Sequence, residues 1–175
     1  MIDDYVFAGH AATAAGAERL SVSDCLVDLV AAEPGGDDWF GDFAAAAARG
    51  ETVLIVGVPV EHVEPLPAAL AAVGWVRGSG GLPDRLCHRL PVPSGQVLGF
   101  EPIGFDDGTW HSWACLGGLV DDVRAATGVR PAGNGLIEAE TDAREAARWL
   151  TASGLGDPKV FFWTPAVVLG ARVPG

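Results

Sequence analysis

The chain is short of positive charge: Lys and Arg together number 11 against 23 Asp and Glu, and Lys159 is the single lysine. A net charge of −12 repels phosphate backbones and anionic headgroups, so direct nucleic-acid binding is disfavoured and a basic partner is favoured. No Gly-x-x-x-x-Gly-Lys-Ser/Thr segment occurs, which excludes a P-loop, and no Gly-x-Ser-x-Gly elbow is present. Val56-Gly57-Val58-Pro59 lacks the spaced glycines of a dinucleotide fingerprint. Cysteine is also scarce. Cys25, Cys87 and Cys115 are odd in number and far apart, which argues against a disulfide framework and for a reducing compartment.

Long apolar runs are missing as well. Thr52 to Val60 and Val160 to Gly170 are interrupted by Gly or Pro and are too short to span a bilayer as helices. Met1-Ile2-Asp3-Asp4 places two acids where a secretory leader needs bases, so the expectation is a cytoplasmic protein without a membrane partner. Ten arginines to one lysine, with abundant Ala, Gly and Val, suggest a GC-rich bacterial source. What the chain does have is apolar content. Hydrophobic residues make up 49% of it, with six Trp and seven Phe, enough to build a core that offsets chain entropy.

Along the chain, Ser23 caps an apolar helical pattern that Pro34-Gly35-Gly36 stops, and Asp37 or Asp38 caps a second helix carrying Trp39, Phe40, Phe43 and Ala47. Thr52 to Val60 reads as a central strand buried on both faces. Leu66 to Val73 is a short helix with Gly74 at its end, and Arg85 to Val92 alternates as a strand. Gln96 to Phe105 is an edge or bulged strand, because of Gly99, Pro102 and Gly104.

A helix is expected from Asp107 or Thr109 to Gly128, with Trp113, Leu116, Val120 and Val123 inward, and with Gly117-Gly118 either breaking it or admitting a close neighbour. Another begins at Thr141 with Ala143, Ala146, Ala147 and Leu150 inward. Lys159 to Val173 is a strand expected to pair with Gln96 to Phe105, Pro165 marking a bulge or an edge. These elements predict an α/β or α+β fold: a single mixed sheet of about four to five strands packed against about four to five helices. The chain, 1–175, reads as one domain, with a candidate subdomain boundary near 91–96.

The richest chemical cluster is Phe105 to Gly118, which holds Asp106, Asp107, His111, Ser112 and Cys115. If that segment is helical, His111 and Cys115 lie four apart on one face, and His111 could activate the Cys115 thiol with Asp107 nearby. The structural alternative is a small buried Cys beside a capping Asp. Cys87, His88, His111 and Cys115 match no zinc spacing, so no metal and no cofactor are expected. His10 and His62 stand without a cluster and read as surface residues.

Gly-Phe-Glu, Gly-Phe-Asp and His-Ser-Trp-Ala-Cys, between Val97 and Leu119, resemble elements of small bacterial proteins of toxin-immunity type. The resemblance extends over Val97 to Gly170 and carries no functional residue across. It implies a cytoplasmic α/β protein that neutralises a partner by binding it. The leading expectation is thus a non-enzymatic inhibitor of a basic protein, acting through Asp37, Asp38, Asp106, Trp110 and Trp113 as an acidic and aromatic surface. The alternative is a small enzyme of specialised metabolism using His111 beside Cys115 in an aromatic pocket.

Overall fold

The computed structural model describes residues 4–13, 20, 39–40, 52–72, 74, 76, 86, 95–105, 110–115, 118–155 and 162–172. In chain order these form β1 (Tyr5–Thr13), β2 (Trp39–Phe40), β3 (Thr52–Pro59), α1 (Val60–Val63), α2 (Leu66–Ala72), β4 (Gln96–Phe105), β5 (Trp110–Ser112), α3 (Leu119–Thr127), α4 (Glu140–Ser153) and β6 (Phe162–Arg172). The strands make a single six-stranded sheet in the order β2-β1-β3-β6-β4-β5, every pair antiparallel. This is an α+β fold with one sheet, and β2 and β5 are short strands at its two edges. The sheet joins strands from both sides of the 91–96 stretch.

β3 is central because its β-branched run buries on both faces, as a strand with neighbours on each side must. Alternation sends Leu54, Val56 and Val58 to one face, with Val63, Leu66 and Leu70 of α1 and α2. Val53 and Ile55 go to the other, with Leu119 and Val123 of α3 and Ala143, Ala146, Ala147 and Leu150 of α4. The small inward residues of α4 let that helix lie close to β6. Leu86 is buried on the α1–α2 face and is helical, not part of the strand expected over Arg85 to Val92; the other residues of that stretch lie outside the described residues.

Two further expectations change. Trp39 and Phe40 pair with Ala11 and His10 of β1 as a strand instead of opening a helix, because aromatics suit an open sheet edge and pairing overrides helix propensity; the rest of that helix, and the one from Ser23, fall outside the described residues. Trp110 to Ser112 pair with Ile103 to Phe105 rather than forming the start of a long helix. The chain then turns through Trp113–Cys115, and α3 starts only at Leu119, after Gly118 at φ 90°, a conformation that ends any helix reaching it from upstream. The bulge expected in β4 is present between Val97 and Gly99. Gly99 has φ 149°, and a Cβ there would stand 2.7 Å from Leu136 Cβ and 2.9 Å from the Ile137 carbonyl oxygen.

Pro165 lies at an edge of the sheet, as expected, where β6 pairs with β4 alone. It sits inside β6, directly opposite Pro102 of β4, without interrupting that ladder. The Pro102 carbonyl accepts from Trp113 N–H, so the polar groups of Pro102 point toward β5 and away from β6. The two prolines therefore form a non-hydrogen-bonded pair, where neither ring removes a β4–β6 bond. On its other side β6 pairs with β3 only as far as Gly57↔Val167, because β3 ends at Pro59 and the chain turns into α1. The sheet is split there.

Candidate functional site

The split leaves the first residues of β6 bonded to β4 alone, and the space beside them becomes a cleft of about 410 Å3. α1 closes it on one side and α4 on the other. Its polar lining is His62, Arg144, Arg148 and Thr151, and its apolar lining is Ala147, Ala152, Phe162, Trp163 and Pro165. Trp163 N–H, which faces away from β4, donates to Thr151 Oγ1 at 3.0 Å, and the Thr151 hydroxyl donates onward to the Ala147 carbonyl. Pro165 has no N–H to satisfy. The exposed flank of β6 is thereby capped without a neighbouring strand.

His62 reaches back over this gap. Its Nδ1 lies 2.6 Å from Oγ1 of the fully buried Thr164, and its ring stands edge-on to Phe162, which in turn packs on Phe105. Burial lowers the imidazole pKa from its usual value, against the opposing pull of Glu61, so the ring is held neutral at neutral pH. His62 is half-buried, not the surface residue its sequence context suggests. Sequence offered only the position just after a central strand; the partner is 102 residues away.

Arg144 ties α4 to α1. Its Nη1 donates to Glu61 at 2.7 Å and its Nε to Glu140 at 2.9 Å. The guanidinium holds the Glu61 carboxyl below its ordinary value, and hydrogen bonding to Glu61 raises the pKa of Arg144 in return. Behind it, burial and then the neighbouring Glu140 carboxylate push the Tyr5 phenol well above its usual range. Arg148 pairs with Glu145 at 2.7 Å in a largely exposed contact.

The sequence candidates lie elsewhere. His111 is half-buried on β5, opposite Gly104, and Cys115 is half-buried in the following turn with its Sγ 2.9 Å from the Ser112 carbonyl. A strand and a turn replace the shared helix face that was to align them. Trp113 is fully buried against α3 and α4, its Nε1 without a hydrogen-bond partner, so it offers no surface to another protein. Trp110 is placed by its pairing with Phe105 at the sheet edge. Asp37, Asp38, Asp106 and Asp107 lie outside the described residues.

Beside this segment sequence reasoning missed a buried carboxylate. Glu101 of β4 is 1% exposed and accepts from Ser112 Oγ at 2.5 Å, while Ser112 Oγ accepts from Ala114 N–H. The signal was an acid inside a strand that is otherwise apolar after Gln96. Among the described residues no group of three or more His, Cys, Asp or Glu is placed to hold a metal ion, and no helix is long and apolar enough to cross a membrane.

No family model, curated protein or solved structure matches the chain.

Proposed function

We propose that the protein is a non-enzymatic binding protein of the bacterial cytoplasm, an immunity-type inhibitor that neutralises a basic protein through an acidic surface and does not contact nucleic acid directly. One observation carries this reading. On the layer formed by α3, α4 and the segment between them, Arg124, Arg144 and Arg148 are each held by an acid, while among the described residues Asp122, Glu138 and Asp142, with the single base Arg130, stand exposed and outside any ion pair. Pairing engages three of the four bases there and leaves an excess of acids facing outward, the sign a basic partner needs for steering and register.

The test is co-expression with basic, growth-inhibiting proteins from neighbouring genes, followed by the charge reversal Asp122→Lys, Glu138→Lys and Asp142→Lys. The expected result is growth protection by the parent chain and its loss in the triple variant, with unfolding free energies from urea that agree within about 0.5 kcal/mol because the sites are exposed. Full protection by the triple variant would sink the acidic-surface reading.

A further inference from the structure

We propose that the cleft between α1, α4 and the start of β6 binds a small organic acid, a single carboxylate on an apolar body. In a chain with more than twice as many acids as bases, this cleft is lined by two arginines and a histidine and by no carboxylate. The acids stand behind it: Glu61 and Glu140 fix Arg144 at two of its five N–H donors, which leaves the planar fork oriented and other donors unused by those bonds. Arg148 is the exchangeable cation. Its side chain is 73% exposed, and its pair with Glu145 is of the surface kind that contributes little, so a ligand carboxylate can compete with Glu145 for its guanidinium.

The charge count also sets the ligand's valence. Two guanidinium groups are paired with three carboxylates here, and Glu145 stays on α4 when it gives up Arg148, so every added negative charge is opposed and a monoanion is opposed less than a dianion such as phosphate. The floor is apolar. Phe162, Trp163 and Pro165 would be left uncovered by a bare inorganic ion, and they match a ring or a branched chain. His62 Nδ1 lies 2.6 Å from Thr164 Oγ1, and in the tautomer whose Nδ1 accepts from that hydroxyl, Nε2 carries the proton and is the donor for the second carboxylate oxygen. A volume of about 410 Å3 lies near the lower end of ligand pockets, which run from roughly 300 to 1,000 Å3, and suits an acid with one ring.

The experiment is calorimetric titration of the full chain with phenylacetate, 3-phenylpropionate, phenylacetamide and inorganic phosphate, repeated on Arg148→Gln and Ala152→Trp. Arg148 and Ala152 are both exposed on α4, and the tryptophan would fill the cleft. At least one acid is expected to bind at or below about 1 mM, the amide at least about tenfold more weakly, Arg148→Gln to lose about tenfold, and Ala152→Trp to lose binding altogether. Should Ala152→Trp unfold, Arg148→Gln decides. Equal binding of amide and acid, unchanged affinity in Arg148→Gln, displacement of the acid by equimolar phosphate, or no acid binding at about 10 mM would each overturn the proposal. Neither substitution touches Asp122, Glu138 or Asp142, so this site and the acidic surface can fail separately.

Discussion

The two faces of the sheet are built differently. The face under α3 and α4 is closed by hydrocarbon: Phe7, Ile55, Phe100, Trp113, Trp163 and Leu169 meet the alanines and Leu150 of α4. The face under α1 and α2 is mostly aliphatic, but alternation along β4, β5 and β6 also places Glu101, Ser112 and Thr164 there, the three buried polar residues among those described. They are joined in pairs, Ser112 to Glu101 and Thr164 to His62. One face holds the fold by burial alone. The other combines burial with hydrogen bonds between buried polar side chains, whose loss costs more than an exposed bond would.

Three substitution experiments probe that contrast. The largest effect should come from the hydrocarbon face, where Leu150→Ala removes a fully buried side chain. About 2–5 kcal/mol of stability should be lost, seen as a lower urea midpoint at an unchanged slope. A cost below about 1 kcal/mol would mean that α4 settles into the space and the two faces are less distinct than described.

On the other face Ser112→Ala should cost about 1–3 kcal/mol, because the Glu101 carboxylate loses a donor in a dry site. The double variant Glu101→Met with Ser112→Ala should recover part of that loss, since it removes both polar partners at once. Additive losses would show instead that each side chain acts by packing alone.

The smallest effect concerns His62. Its folded pKa lies below the unfolded value of about 6.5, so between the two the unfolded chain binds the extra proton. Stability should therefore be flat above that value and fall as pH drops below it, and His62→Gln should remove this part of the slope. The Glu61 contribution lies in a lower window, because its folded pKa is also lowered but from a carboxylate value, and its stability is lost as pH falls through the folded value. An identical slope in the parent and His62→Gln chains would place the titrating group elsewhere.

Much of the fold was legible where local pattern and tertiary demand coincide. The inward set Ala143, Ala146, Ala147 and Leu150 follows from helical periodicity, and those four are the buried residues of α4. The β-branched run of β3 announces a strand with neighbours on both sides, and β6 pairs with β4 as expected. Trp110 to Cys115 misled because Trp113, Leu116, Val120 and Val123 fit a helical period, while the free edge of β4 drew Trp110 to Ser112 into the sheet. The cleft had no local signal. Its residues come from α1, α4 and β6, and each has an ordinary surface or core appearance by itself.

Sequence alone determined the charge imbalance, the helix faces and the central strand, because these depend on composition and on spacing within a few residues. Tertiary structure alone decided that two prolines could face each other inside a sheet, since this rests on which way Pro102 points its carbonyl. It also decided that β3 would leave β6 unpaired beyond Val167 and so open a cleft with two arginines in an acidic protein. That outcome depends on register between strands more than a hundred residues apart, which no local pattern encodes.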